Sequence, residues 1–216
     1  MLNRFYNMDC MEGMAQFPDK FFELAVVDPP YGIGANKMQL GNGKRKVFRG
    51  SSDWDASPPD ASYFAELFRV SKNQIVWGAN HFVSLIPINS SCWLLWDKGT
   101  GDNDYADGEL AWTSFGGHVK KYFKSWVGAN AKEQTEADRM HPTQKPIALY
   151  KWILANYAKP GDKILDTHVG SASSLIACHQ MGFDFVGFEL DPDYYRAATE
   201  RLERARAQVS ILDLGV

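Results

Sequence analysis

Apolar and polar positions follow two different periods along this chain. Short apolar runs that end at an acid or a turn residue predict buried strands at 24–27, 74–77, 92–96, 163–166 and 184–189. Two further runs, 109–115 and 119–127, are separated by Gly116 and Gly117. Such a spacing predicts a hairpin late in the sheet.

Between these strands, apolar residues recur at the spacing of an α-helix. Apolar residues recur at helical spacing near 60–70, and Pro146 fits the first turn of another helix. A further helix begins near Ser174, and Asp191 fits the N-cap of a helix that runs to about Gln208. Strands that alternate with helices predict an α/β fold with a mostly parallel sheet.

Composition and charge narrow the class of protein. The chain has 216 residues, 45% of them hydrophobic, and we expect one globular domain over 1–216. No apolar run approaches a membrane span, and the first residues lack a signal-peptide pattern. The three cysteines are far apart and odd in number, so neither a disulfide framework nor a zinc site is expected. We expect a reducing, cytoplasmic setting.

A stiff loop follows the first predicted buried strand. It reads Asp28-Pro29-Pro30-Tyr31, so two prolines without N–H groups leave nearby carbonyl oxygens free as acceptors. The Asp28 carboxylate is a further acceptor, and Tyr31 offers a flat ring. Acceptors beside an aromatic ring suit a planar nucleobase with an exocyclic amino group. The alternative is a chance junction between a strand and a turn.

A second unit near the C-terminus has the order strand, small-residue turn, helix, strand and acid. The first strand ends at Asp166, the turn spans 167–173, and the second strand ends at Glu189. This βαβ pattern is typical of nucleotide binding, with Glu189 placed for two ribose hydroxyls. A dinucleotide site is an alternative, although the turn does not spell G-x-G-x-x-G. The other alternative is an ordinary βαβ unit that binds no ligand.

Positive charge is concentrated in one segment, although the net charge of the chain is −3. A net negative charge argues against a protein that coats nucleic acid, but a protein needs only one basic face to bind DNA. Lys44, Arg45, Lys46 and Arg49 lie in a loop-like insertion at about 32–60 and could meet phosphates. A solvated surface loop is the alternative. A second insertion at about 128–140 is also a candidate for DNA contact.

Three segments together resemble the DNA amino-methyltransferases, which methylate N6 of adenine or N4 of cytosine. The first is Asp28-Pro29-Pro30-Tyr31, and the second, residues 141–146, reads His-Pro-Thr-Gln-Lys-Pro. The third, residues 166–173, is similar to the S-adenosylmethionine motif Asp-Pro-Phe-x-Gly-Ser-Gly-Thr. It keeps Asp166, Gly170 and Ser171 and departs at Thr167, His168, Ala172 and Ser173. The catalytic loop precedes the cofactor motif, an order that resembles the β group, and the phage-type members look most similar.

This resemblance implies a fold, a cofactor and a set of site residues. The fold would be the three-layer S-adenosylmethionine-dependent methyltransferase fold, with about seven strands and an antiparallel hairpin strand. Asp28, Pro29, Pro30 and Tyr31 would be catalytic, acting on a base flipped out of the duplex and needing no metal. The residues implied at the cofactor are Asp9, Cys10, Asp28, Thr143, Lys145, Asp166, His168, Gly170, Ser171, Ala172, Ser173, Glu189 and Leu190. From the residues alone, Asp9 also fits a helix N-cap.

The resemblance implies site-specific methylation of double-stranded DNA. Adenine N6 is favoured over cytosine N4 because the first motif residue is Asp28, whereas Ser is commoner there among the cytosine enzymes. Two other classes stay open, namely an RNA or protein amino-methyltransferase and a non-catalytic DNA-binding module. We expect a monomer or homodimer, which could act beside a restriction endonuclease.

Overall fold

The computed structural model of the protein describes residues 2–32, 57–86, 89–100, 106–125 and 144–208. Three predicted features lie outside these ranges. They are the basic cluster at 44–49, the cofactor candidate Thr143 and most of the two loop insertions.

The described chain forms eight strands, five α-helices and two short 3-10 helices, Ala79–His81 and Val83–Leu85. The strands are β1 (Arg4–Asn7), β2 (Phe22–Val27), β3 (Ser71–Trp77), β4 (Trp93–Asp97), β5 (Gly108–Thr113), β6 (Lys120–Phe123), β7 (Lys163–Asp166) and β8 (Asp184–Glu189). The α-helices are α1 (Cys10–Met14), α2 (Ala61–Val70), α3 (Ile147–Tyr157), α4 (Ser173–Met181) and α5 (Pro192–Ala207).

All eight strands form a single sheet in the order β1-β8-β7-β2-β3-β5-β4-β6. β5 runs antiparallel to both of its neighbours, β3 and β4, and the other strand pairs are parallel. The predicted fold class is therefore confirmed, with eight strands instead of about seven. The additional strand is β1, whose four residues at the sheet edge are too few and too exposed to show a strand period.

The predicted hairpin between the runs 109–115 and 119–127 is wrong. β4 lies between β5 and β6, pairing antiparallel with the first and parallel with the second. The pattern of apolar residues reports which segments are extended, but it does not select their partners.

Two apolar cores sandwich the sheet. Along β2, Leu24 and Val26 pack in one core together with residues of α3, α4 and α5. Ala25 and Val27 pack in the other core with residues of α1 and α2. Alternate side chains of a strand point to opposite faces, so a run that is apolar throughout requires cover on both sides. Three layers result, as the resemblance implied.

Three neighbouring parallel strands bring acids to one edge of the sheet. β8 ends at Glu189, β7 ends at Asp166, and Asp28 follows directly after β2. The chain leaves β7 towards β8 and leaves β2 towards β3, so the connections diverge between β7 and β2. In open α/β sheets, ligands bind at such a switch point beside the carboxyl ends of the strands.

Candidate active site

A cavity opens at this switch point and joins the two regions that the sequence singles out. Asp28 and Pro30 line it from the loop after β2, and Asp166 is buried directly beneath the turn that forms the opposite wall. The lining consists of Met8, Asp9, Cys10, Asp28, Pro30, Gln144, Lys145, Tyr150, Thr167, His168, Val169, Gly170, Ser171, Glu189, Leu190 and Tyr194.

Asp28 is held by two donors. The Tyr31 hydroxyl donates to its Oδ1 at 2.7 Å, and the Lys145 ammonium donates to its Oδ2 at 2.5 Å. Burial raises the pKa of Asp28 above its ordinary value, and the nearby Lys145 charge opposes that rise. A carboxylate oxygen carries two lone pairs, so each oxygen of Asp28 retains acceptor capacity towards the cavity.

Tyr31 is fixed by the chain around β3. Its ring stacks on His81 with centroids 4.9 Å apart and planes 16° from parallel. A Cβ atom at Gly78 would lie 2.0 Å from Tyr31 Cε1, and Gly78 has a φ of +67°. Gly78 therefore both makes the turn after β3 and leaves room for the ring.

Lys145 connects Asp28 to a second carboxylate. Its ammonium lies 2.9 Å from Glu109 Oε2, and Glu109 Oε1 lies 2.5 Å from Lys98 Nζ. The side chain of Lys145 is 1% exposed. Burial alone would lower the pKa of Lys145, but Asp28 and Glu109 raise it. Burial would likewise raise the pKa of Glu109, but Lys145 and Lys98 lower it. Lys98, Glu109, Lys145 and Asp28 therefore form a row of alternating positive and negative charges.

Asp166 is fully buried at the end of β7. It accepts hydrogen bonds from the Ser174 hydroxyl and from the backbone N–H of His168. Burial nevertheless raises the pKa of Asp166 to about 7. A cationic group bound beside it would favour the ionised form.

Glu189 ties the end of β8 to the small-residue turn. Its Oε2 accepts from the Gly170 N–H at 2.9 Å, and its Oε1 accepts from the Asp191 N–H at 3.0 Å. Burial raises the pKa of Glu189. Each oxygen makes one of these bonds, so further lone pairs remain for hydroxyl groups of a ligand.

The turn keeps its shape despite its departures from the family motif. Ala172, where the motif has glycine, adopts a left-handed conformation with φ 62° and ψ 17°. The buried Arg201 of α5 donates to the Ser171 carbonyl at 2.5 Å and to the Ser173 hydroxyl at 2.9 Å. The hydrogen bonds from Arg201 thus stabilise the turn next to Ala172, whose left-handed conformation is the one that glycine adopts in the family motif.

His168 and Cys10 are close but uncharged. The sulfur of Cys10 lies 4.0 Å from His168 Nε2, and the Thr167 hydroxyl lies 2.9 Å from His168 Nδ1. Burial lowers the pKa of His168 to about 4 and raises that of the Cys10 thiol to about 12. A thiol in that state is not an activated nucleophile, so this pair serves binding and packing.

Asp9 caps a helix and also lies at the cavity wall. Its carboxylate caps α1 by accepting from the N–H groups of Met11 and Glu12. It also lines the cavity beside Cys10. The cap fixes the carboxylate at the cavity wall.

The charges around the cavity favour a cation over a phosphate. Four carboxylates face or lie directly beneath the described lining, namely Asp9, Asp28, Asp166 and Glu189. Lys145 is already paired with Asp28 and Glu109. A pyrophosphate would be repelled here, which argues against the dinucleotide alternative. A sulfonium cation with an α-ammonium group fits this balance. Within the described ranges, no three His, Cys, Asp or Glu residues are grouped as a metal site requires.

The predicted site residues divide into four groups. Most line the cavity, whereas Pro29 and Tyr31 lie in the adjoining loop, and Asp166, Ala172 and Ser173 are buried outside the lining. Thr143 and the four basic residues lie outside the described ranges. Residues that the sequence did not single out also line the cavity or support it. They are Met8, Gln144, Tyr150, Thr167, Val169, Tyr194, Glu109, Lys98, His81 and Arg201. Gln144 and Thr167 could have been found, because each lies inside a segment that resembles a family motif.

Comparison with known proteins agrees with this geometry. The model of the N6/N4 methyltransferase family, described as DNA methylase, matches residues 97–200. The resemblance to the DNA amino-methyltransferases is therefore confirmed. YubD of Escherichia coli (strain K12), a protein named as a methylase, is 23% identical over 215 residues, covering 93% of this chain and 90% of its own. The Type II methyltransferase M2.DpnII of Streptococcus pneumoniae is 36% identical over 78 residues, 36% of this chain and 29% of its own.

A solved structure supports the fold independently. The crystal structure of the M1.HpyAVI–SAM complex superposes with a TM-score of 0.61 at 19% identity, covering 92% of this chain and 98% of that one. The described part of the chain contains no helix that is long and apolar enough to cross a membrane.

Proposed function

We propose that this protein transfers a methyl group from S-adenosylmethionine to the exocyclic N6 of adenine in double-stranded DNA. The observation that carries the proposal is the single cavity that joins the Asp28 loop to the Asp166 and Glu189 strand ends. One side offers acceptors for an amino group, and the other offers acidic groups for a cationic nucleoside.

The amino group of a base is a poor nucleophile because its lone pair is conjugated into the ring. The Asp28 carboxylate and the Pro29 carbonyl accept hydrogen bonds from its two N–H groups and favour a more tetrahedral nitrogen. Bound S-adenosylmethionine would supply a methyl group that its sulfonium makes electrophilic. As the new N–C bond forms, the S–C bond would break, and the donor would leave as the neutral thioether S-adenosylhomocysteine. The methylated nitrogen carries a positive charge, and it loses a proton to Asp28 or to water. Positioning of this kind supplies about 7–11 kcal/mol in favourable cases.

The donor would lie across the ends of β7 and β8. Glu189 would accept hydrogen bonds from the two ribose hydroxyls, and the 167–173 turn, with Asp166 buried behind it, would face the amino-acid end. Asp9, Cys10, His168 and Leu190 complete the lining of that side. Lys145 lines the same cavity and contacts Asp28, and Thr143 is a further proposed donor-binding residue.

The DNA would meet the protein on the side of the Asp28 loop. The target adenine is flipped from the duplex into the pocket beside Tyr31, since the amino group cannot be reached inside a stacked helix. Lys44, Arg45, Lys46 and Arg49 follow Tyr31 in sequence and bind phosphates near the flipped base. The 128–140 segment is the second proposed contact.

Adenine is proposed over cytosine because Asp28 stands at the first position of the motif. Cytosine N4 is the second candidate, because the matching family includes enzymes for both amino groups. The proposed setting is the cytoplasm, with the protein as a monomer or homodimer, alone or beside a restriction endonuclease.

The proposal is tested by the chemical identity of the product. The protein is incubated with methyl-labelled S-adenosylmethionine and, in separate reactions, duplex DNA, RNA or peptide, and the digested nucleosides or amino acids are separated by chromatography. We expect label in N6-methyladenine. Label in N4-methylcytosine would favour the second candidate. Label in RNA or peptide alone, or no transfer to any of them, would refute the proposal.

A further inference from the structure

We infer that Glu109 is a positioning residue for methyl transfer, holding the Lys145 ammonium so that Asp28 keeps acceptor capacity for the amino group of the base. This inference rests on the proposed function and deepens it. Glu109 is not part of the cavity lining, so it acts through Lys145.

The direction of β5 explains how Glu109 reaches the site. β5 is antiparallel to its neighbours, so its first residues lie at the edge where the parallel strands end. In this register Glu109 is opposite Trp96 of β4, two residues before Lys98. A carboxylate at the start of the antiparallel strand thus lies beside the switch point.

The three N–H bonds of the Lys145 ammonium have three oxygen neighbours. Asp28 Oδ2 lies at 2.5 Å, Glu109 Oε2 at 2.9 Å and Tyr31 Oη at 3.3 Å. An ammonium has three donors and no acceptor, so this set is complete. Because Glu109 takes one donor, the ammonium does not bridge both oxygens of Asp28, and Oδ1 is left to the Tyr31 hydroxyl.

The charges of Asp28, Lys145 and Glu109 also support a positioning role for Glu109. A buried carboxylate paired with a lysine alone would be strongly neutralised, and it would stabilise the positive charge on the methylated amine poorly. The Glu109 carboxylate shares the lysine charge, and it raises the pKa of Asp28 in addition to the effect of burial. Lys98 keeps Glu109 ionised from the other side.

The test compares the wild type with Glu109→Gln, which keeps the size of the side chain and removes its charge. We expect kcat to fall about ten-fold, the scale of one charged hydrogen bond. The acidic limb of the pH profile of kcat should move to lower pH, because Asp28 loses a negative neighbour. Glu109→Asp keeps the charge, so its acidic limb should stay where it is in the wild type.

Glu23→Gln is the matched control. Glu23 also lies between two lysines, Lys72 and Lys163, each at 2.9 Å. It is in β2 five residues before Asp28, or roughly 16 Å away at the rise of an extended strand. Removing the charge of Glu23 should leave the pH profile of kcat unchanged.

A carbon NMR titration of the Asp28 carboxyl provides a readout that needs no substrate. We expect a lower midpoint in Glu109→Gln than in the wild type. In the wild type itself, coupling should give the Asp28 carbon an inflection at the low pH where Glu109 takes up its proton, separate from any inflection near pH 7 that comes from Asp166. The test therefore survives a variant that fails to fold. Equal midpoints, a wild-type titration without that low-pH inflection or an unmoved acidic limb would overturn the inference. If the wild type transferred no methyl group, the proposed function would fail, and this titration would still show whether Glu109 sets the ionisation of Asp28.

Discussion

Lys145 Nζ lies 2.5 Å from Asp28 Oδ2, although 117 positions separate the two residues in the chain. The contact joins the loop after β2 to the segment that precedes α3. The sequence predicted Lys145 as a cofactor-binding residue, and the structure places its ammonium on the acid of the catalytic motif. Lys145 therefore stands between the two halves of the site.

Replacement of Lys145 by methionine should lower the free energy of unfolding by about 3–5 kcal/mol near pH 8, the scale of a broken buried ion pair. Asp28 and Glu109 are left without their shared cation, which raises their pKa values in the folded state. This destabilisation is complete above the raised folded-state pKa values and fades as the pH falls through them towards the unfolded values. Urea unfolding at pH 5 and pH 8 measures it.

The control for that variant is Lys163→Met. Lys163 pairs with Glu23, but its side chain is 25% exposed, so we expect a loss of less than about 1 kcal/mol. Equal losses in the two variants, or a Lys145→Met loss that does not change with pH, would contradict the ion-pair interpretation.

Asp166→Asn should flatten the dependence of stability on pH. The pKa of Asp166 is about 7 in the folded protein against 3.8 for the ordinary group. A raised pKa in the folded state means that the favourable contribution is complete below about pH 4 and is lost as the pH rises towards 7. The wild type should therefore lose a few kcal/mol more than the variant across that window, at about 1.4 kcal/mol per pKa unit. Parallel stability curves would show that burial does not perturb Asp166.

The basic cluster is tested by salt dependence. Replacing Lys44, Arg45 and Lys46 with alanine should raise the Kd for DNA and flatten its dependence on log salt, because each phosphate contact contributes a slope of about −0.9. Affinity for S-adenosylmethionine should hardly change. Titrations on duplexes with and without the cognate site measure both effects.

Lys72→Ala with Lys163→Ala is the control for the cluster. Lys72 is the second residue of β3 and Lys163 the first of β7, at the edge of the sheet opposite the cavity. The double variant should keep the wild-type slope. If the variant of the basic cluster also kept the wild-type salt slope, the alternative of a solvated surface loop would be the better interpretation.

The residues whose role is local were predictable from the sequence. Asp28, Asp166 and Glu189 each follow an apolar strand, and parallel strands bring such ends to one edge. The N-cap role of Asp191 and the beginning of α3 after Pro146 follow from equally local signals.

The parts of the site that depend on strand pairing were not predictable. Glu109 reaches Lys145 because β5 lies antiparallel between β3 and β4, and an alternating pattern carries no information on partners. β1 is too short to show a period. The left-handed Ala172 depends on Arg201, which lies 29 residues further along the chain.

The central claim is that Asp28 serves the amino group of the base and that the donor is bound elsewhere. The measurement is methyl transfer to DNA by Asp28→Ala together with its calorimetric affinity for S-adenosylmethionine, with Glu189→Ala as the reciprocal variant. We predict that Asp28→Ala transfers no detectable methyl group while its Kd for the donor stays within about three-fold of wild type, less than the cost of one neutral hydrogen bond. Glu189→Ala should instead weaken donor binding by roughly 1.5–3 kcal/mol, the scale of a charged hydrogen bond. Near-normal turnover by Asp28→Ala would contradict the claim.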